Sequence, residues 1–112
     1  MTPEVASEVM KNFVVYILAS IQRVLYIGMT SELEKRLWEH REKTYPESFT
    51  SRYNVNRLVY MEVYDRFEQA EARETQLKGW KRSKKVWLIE RGNPEWEDLA
   101  PPPAQVPRLR SG

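Results

Sequence analysis

The chain has 112 residues, no cysteine, one histidine, 18 Lys+Arg against 16 Asp+Glu and a hydrophobic share of 41%. These values describe one ordinary soluble domain and exclude a disulfide framework, thiolate catalysis, a cysteine-based zinc site and a zinc site of several imidazoles. No apolar run approaches the roughly twenty residues of a membrane span and the amino end lacks the build of a secretion signal, so the cytosol is the expected location and no membrane contact is expected.

Residues 1–11 are polar and unpatterned, and the stretch APPPAQVPRLRSG at 100–112 has too many prolines for regular structure. One domain is therefore expected over 12–99, with loose ends. There is no internal repeat.

From Phe13, FVVYILAS is a continuous run of β-branched and aromatic residues, read as a first strand, and VLYIG after the polar Ser20–Arg23 is its hairpin partner. A three-residue loop centred on Ile21 sets Tyr16 directly opposite Tyr26 on one face; a four-residue loop places them on opposite faces. The shorter loop is the expectation. Ser31 followed by Glu34 fits a capping box, and Leu33, Leu37 and the stem of Arg41 continue the apolar edge of a helix to about Glu42. TYPESFTSRYNVN is a long connection with room for one helical turn. RLVYMEVY is a third strand, with Leu58, Tyr60, Glu62 and Tyr64 alternating against Val59, Met61 and Val63. A helical pattern runs from Phe67 to Lys81, and a second helix after Ser83 carries Val86, Trp87 and Ile89 until Gly92, Asn93 and Pro94 stop it.

On the Phe67 to Lys81 helix, Ala70, Glu74, Leu77 and Lys81 fall on one line. A carboxylate thus enters an inward stripe, where it needs a cation, a hydrogen-bond donor or a metal. A small rotation of the stripe lets Glu74 pair with Lys78 at i+4 in water instead. Arg36 and His40 also share a helix face. The planar fork of arginine suits a phosphate, and a histidine beside it can exchange a proton near neutral pH; by default an isolated pair of this kind is a solvated helix face with one chance histidine. Tyr16 and Tyr26 are by default core aromatics, and Asn93 a turn residue before proline. Lys78, Lys81, Arg82, Lys84 and Lys85 surround Trp80 in KGWKRSKK. They either follow a phosphate backbone, with salt-dependent affinity, or are solvated charges on two helix ends.

Taken in order, these residues resemble the GIY-YIG nuclease family. VVYIL at 14–18 stands where its first motif would be, YIG is intact at Tyr26 to Gly28, and RLWEH follows at 36–40. FTSRYNVNRLVYMEVY, EARETQLKGWKR and NPEWEDL are similar to the small single-domain bacterial members, and the resemblance spans Phe13 to Leu99. Val14 replaces the glycine of the first motif, and Met29 follows YIG where some repair relatives have a lysine.

The resemblance implies an α/β (α+β) fold with a three-stranded antiparallel sheet flanked by helices. It also implies hydrolysis of nucleic-acid phosphodiesters, DNA first, with Mg²⁺ or Mn²⁺, in settings such as DNA repair or recombination. By motif position Tyr16 and Tyr26 are the active-site tyrosines, Arg36 the phosphate-binding arginine, His40 the proton-handling position, Glu74 the metal ligand, Asn93 the supporting asparagine, and Gly28 the close backbone turn. A non-catalytic nucleic-acid-binding module is the alternative, and a protein-interaction domain using a Trp87/Trp96 surface a remoter one. A protein partner that delivers the substrate fits the resemblance; oligomeric state is left open. Catalysis requires Tyr16, Tyr26, Arg36, His40 and Glu74 to converge.

Overall fold

A computed structural model describes residues 12–100; the expectations for residues 1–11 and 101–112 lie outside them. Strands β1 (Phe13–Ala19), β2 (Leu25–Thr30) and β3 (Arg57–Tyr64) form one antiparallel sheet in the order β2-β1-β3. Helices α1 (Leu33–Glu42) and α2 (Phe49–Tyr53) lie between β2 and β3 in the chain, and α3 (Phe67–Lys78) and α4 (Arg82–Gly92) follow β3. The three-stranded sheet and flanking helices are as expected.

β1 is the central strand, so both its faces are covered and its apolar run is continuous rather than alternating. Val15, Ile17 and Ala19 join Ile27, Ala70, Leu77, Leu88 and Ile89 in one core, which holds α3 and α4. Val14, Tyr16 and Leu18 join Leu37, Val55 and Leu58 in the other, which holds α1.

The hairpin register departs from the expected one. Ala19 pairs with Leu25, so Ser20–Val24 form the loop, and Tyr16 pairs with Gly28 while Tyr26 pairs with Leu18. Tyr16 and Tyr26 do share a face, but diagonally. The cause lies in the loop: the Ser20 hydroxyl and carbonyl accept from the Val24 and Arg23 amides, and Arg23 adopts a left-handed φ of 70°. A slip of two residues preserves the face because side chains alternate with period two.

β3 also breaks its simple alternation. Ile17 pairs with Tyr60 and Leu18 with Leu58, leaving Val59 as a bulge. Leu58 therefore faces the α1 core, whereas Val59 and Tyr60 pack with the α3 core. Beyond the bulge the Glu62 carboxylate accepts hydrogen bonds from the hydroxyls of Tyr60 and Tyr64 and from Arg73 Nε at 2.9 Å. Burial alone would raise its pKa, yet these donors hold it below the ordinary carboxylate value. This ion pair clamps α3 against β3.

Two helix boundaries differ from expectation. The capping box at Ser31 does not form; α1 begins at Leu33 after Glu32, whose amide donates to the Thr30 hydroxyl at 2.9 Å. α3 ends at Lys78, where the amide of Gly79 closes the last turn, so Lys81 leaves the Glu74 line and becomes the N-cap position of α4. Ser48 caps α2, accepting from the Ser51 amide at 3.3 Å, and supplies the helical turn for which the long connection had room.

Candidate active site

Tyr16 is the buried floor of the site. It is only 1% exposed, and its hydroxyl lies 3.4 Å from His40 Nε2. Its place depends on β2: a Cβ built at Gly28 would lie 2.6 Å from the Tyr16 hydroxyl. The glycine is required by this close approach of a neighbouring side chain. Tyr26 stands beside Tyr16 with ring centroids 6.3 Å apart, and 5.6 Å from the ring of His40.

Arg36 and His40 come to the same place from α1. Arg36 donates to the Glu39 carboxylate at 2.8 Å and keeps about a third of its side chain exposed. His40 is buried, with Nδ1 2.8 Å from the Thr50 hydroxyl, which in turn lies 3.3 Å from Ser48 Oγ. Tyr26, Arg36, Glu39, His40, Tyr45, Ser48, Phe49, Thr50 and Ser51 line one pocket of about 70 Å³. It holds a water or a few phosphate oxygens, not a base.

The electrostatics follow from burial. Desolvation pushes the Tyr16 hydroxyl up to about 12; the Tyr26 phenol adds to the rise, the Arg36 charge and hydrogen bond oppose it, and the Glu74 carboxylate reinforces it. His40 is pushed down to about 4 by its burial and then by the Arg36 charge, against a smaller pull from Glu39. The imidazole is therefore uncharged near neutral pH, with a hydroxyl that can donate or accept at each ring nitrogen, Thr50 at Nδ1 and Tyr16 at Nε2.

Glu74 is not in the pocket lining. It projects from α3, whose Ala70 and Leu77 enter the Val15–Ile17 core, with its side chain 19% exposed and 3.0 Å from Lys78 Nζ. The i+4 ion pair is thus present, and its carboxylate is also near enough to oppose ionisation of Tyr16. No group of three or more His, Asp or Glu side chains gathers among the described residues. A divalent cation at this lone carboxylate would have to displace the Lys78 ammonium and keep most of its own water, which a hard ion such as Mg²⁺ or Mn²⁺ does.

Asn93 is not brought to the pocket. It is buried, donates through Nδ2 to the carbonyls of Val59 at 3.1 Å and Glu97 at 2.9 Å, and accepts from the Glu97 amide at 2.9 Å. It ties the carbonyl at the bulge to the C-terminal loop. Of the basic run, Lys81, Arg82 and Lys84 are exposed, Lys85 is half-buried and Lys78 is paired with Glu74. Trp80 is half-buried against the core, with Lys84 Nζ 4.1 Å and the Arg73 guanidinium 5.2 Å from its ring centre. Its ring already serves two cations. Trp96 is 4% exposed and donates to Glu90 at 2.7 Å, so it is too buried to form an interaction surface with the exposed Trp87.

With this geometry, comparison with known proteins decides the family. The GIY-YIG catalytic domain matches residues 12–86, more than half of the chain. The chain belongs to the GIY-YIG family. Among its relatives, a UPF0213 protein of Syntrophus aciditrophicus is 39% identical over 85 residues, covering 76% of this chain and 95% of that one. A UPF0213 protein of Staphylococcus saprophyticus is 32% identical over 83 residues, covering 74% of this chain and all of its own length. The solution NMR structure of a UPF0213 protein from Bacillus halodurans superposes with a TM-score of 0.51 at 26% identity, covering 78% of this chain and 92% of that one. As a GIY-YIG protein the chain carries a nuclease-family domain, whose members imply a nucleic-acid substrate and generally use divalent metals. Among the described residues no helix is long and apolar enough to cross a membrane.

Sequence reasoning missed the part of the site contributed by the segment after α1. Ser48 and Thr50 sit in a connection without periodicity, and Thr50 reaches His40 only because α2 folds back on α1. The N-cap pattern of Ser48 before Phe49 was the one local signal for that turn.

Proposed function

We propose that this GIY-YIG protein is a metal-dependent endonuclease that hydrolyses phosphodiester bonds, with DNA as its substrate. The observation that carries this reading is the gathering of Tyr26, Arg36 and His40 around one small pocket, with the Tyr16 hydroxyl beneath it. Arg36 retains free guanidinium donors beyond its bond to Glu39. It holds the non-bridging oxygens of the phosphate, where negative charge grows in the pentavalent transition state.

Of the two tyrosines, Tyr26 lines the pocket and Tyr16 does not. Tyr26 therefore orients the attacking water, while Tyr16 keeps its proton near neutral pH and positions His40 from below. His40 is kept a neutral ring near neutral pH by its burial and the Arg36 charge, and is oriented by the Tyr16 and Thr50 hydroxyls at its two nitrogens. Glu74 is the residue that would hold the cation, which when bound offsets charge on the phosphate and lowers the pKa of its water.

The test is cleavage of single-stranded, duplex and branched DNA and of RNA in Mg²⁺, Mn²⁺ or chelator, beside Glu74→Ala and Arg36→Ala. Metal-dependent cutting, reduced at least a hundredfold in both folded variants, is the expected result. A second reading, a nucleic-acid-binding module that does not cut, draws on the lone carboxylate of Glu74 and its ion pair with Lys78. Salt-sensitive binding with no cutting under any metal would replace the first reading with the second.

A further inference from the structure

The pocket at Arg36 is too small for a base, yet large aromatic side chains stand at its mouth. Tyr45 and Phe49 line it, and are 57% and 46% exposed. Tyr53, one turn along α2 from Phe49 and 48% exposed, packs against it with ring centroids 4.9 Å apart. The Arg52 guanidinium lies 5.9 Å from the Tyr53 ring centre. Three half-exposed aromatics in one short segment are unusual for a free surface, since burying each would remove a large apolar area from water. Neither the hydrophobic core nor the chemistry of the pocket uses them.

We infer that Tyr45, Phe49 and Tyr53 form a stacking platform for the unpaired bases of a nucleic-acid strand whose phosphate occupies the Arg36 pocket. Two features select this occupant. The stripe is continuous with the pocket wall, so a strand held by its phosphate at Arg36 has its neighbouring bases at Tyr45 and Phe49. Arg36 and Arg52 place positive charge beside the rings, the combination of cations and aromatic faces that single strands require. A paired duplex keeps its base faces stacked on one another and has none to offer.

This inference rests on the reading of the pocket as a phosphate site, but binding tests it apart from cutting. Affinity is measured in chelator for three labelled probes of one length: oligo-dT, an abasic strand with the same phosphates, and a duplex. Phe49→Ala/Tyr53→Ala is expected to weaken oligo-dT binding about tenfold or more and leave the abasic strand unchanged, whereas Arg36→Ala weakens both. Phe49→Trp, which keeps a stacking face, restores oligo-dT binding, and unchanged thermal unfolding shows that each variant is folded.

Unchanged oligo-dT affinity in the double alanine variant would overturn the platform, as would tighter binding of duplex than of oligo-dT. Sedimentation identifies the competing occupant: loss of a dimer in that variant, without loss of oligo-dT binding, makes the stripe a contact between copies and also overturns it. A protein that binds as expected but never cuts retains the platform and loses the nuclease reading.

Discussion

The Tyr16 hydroxyl occupies the space that a side chain at Gly28 would fill: a Cβ built there lies 2.6 Å from the oxygen and 2.7 Å from Cζ. Both residues sit in paired, regular strands, so neither backbone can retreat without disturbing the sheet. Gly28→Ala is expected to cost about 1–3 kcal/mol by overpacking and to turn the Tyr16 ring away from His40. In a double-mutant cycle by urea unfolding, Tyr16→Phe recovers part of that loss because one of the two clashing atoms is gone. Full additivity of the two changes would show that the glycine does not make room for the tyrosine.

Acid sensitivity follows from His40. The unfolded chain takes up this proton near pH 6.5, the folded one only near pH 4. Between those values the unfolded state holds more protons. The stability contributed by the neutral ring is therefore fully present above about pH 6.5 and falls as the pH drops towards 4, by on the order of 2–3 kcal/mol. His40→Gln is expected to flatten that part of the profile, while the loss due to Glu62, whose pKa is held low, remains at the acid end. Parallel stability profiles for the two proteins across this window would refute the assignment.

Thr50 holds His40 at Nδ1 with a buried 2.8 Å bond. Thr50→Val keeps the shape and removes the hydroxyl, leaving the ring nitrogen without its partner at a cost of about 1–2 kcal/mol. If the nuclease reading holds, the variant also shifts the pH profile of cleavage, since the Thr50 hydroxyl no longer orients the ring beside Tyr16. A stability loss with an unmoved profile would reduce Thr50 to packing.

Asn93 makes three hydrogen bonds to backbone groups, two of them in the Glu97 loop and one at the β3 bulge. Asn93→Ala leaves two carbonyls and an amide to find other partners and is expected to cost about 2–4 kcal/mol, with hydrogen exchange rising at Val59 and Glu97. Affinity of the folded variant for an abasic strand stays at the wild-type value. Weakened strand binding with intact stability would instead place Asn93 in the site.

Much of this molecule is visible in local patterns. The β-branched run of β1, the YIG stretch of β2 and the helical spacing around Leu37 and Leu77 each declare their element, because residues two, three or four apart decide them. The shared face of Tyr16 and Tyr26 survived a wrong loop length for the same reason: parity depends on an even slip alone. Tyr26, Arg36 and His40, legible as motif positions along the chain, line one pocket, with the Tyr16 hydroxyl 3.4 Å from His40 Nε2 beneath it. The helical spacing sets Glu74 between the inward Ala70 and Leu77 and four residues from its ion-pair partner Lys78.

Side-chain periodicity and chemical type account for the three strands, the existence of the principal helices and the face on which the tyrosines lie. The diagonal register, the bulge at Val59, the bond from Thr50 to His40 and the locking of Asn93 onto backbone come instead from the folded arrangement. Each of these joins groups far apart in the chain or depends on how a loop closes, and such pairings are selected by the geometry of the whole fold, which no window of neighbouring residues contains.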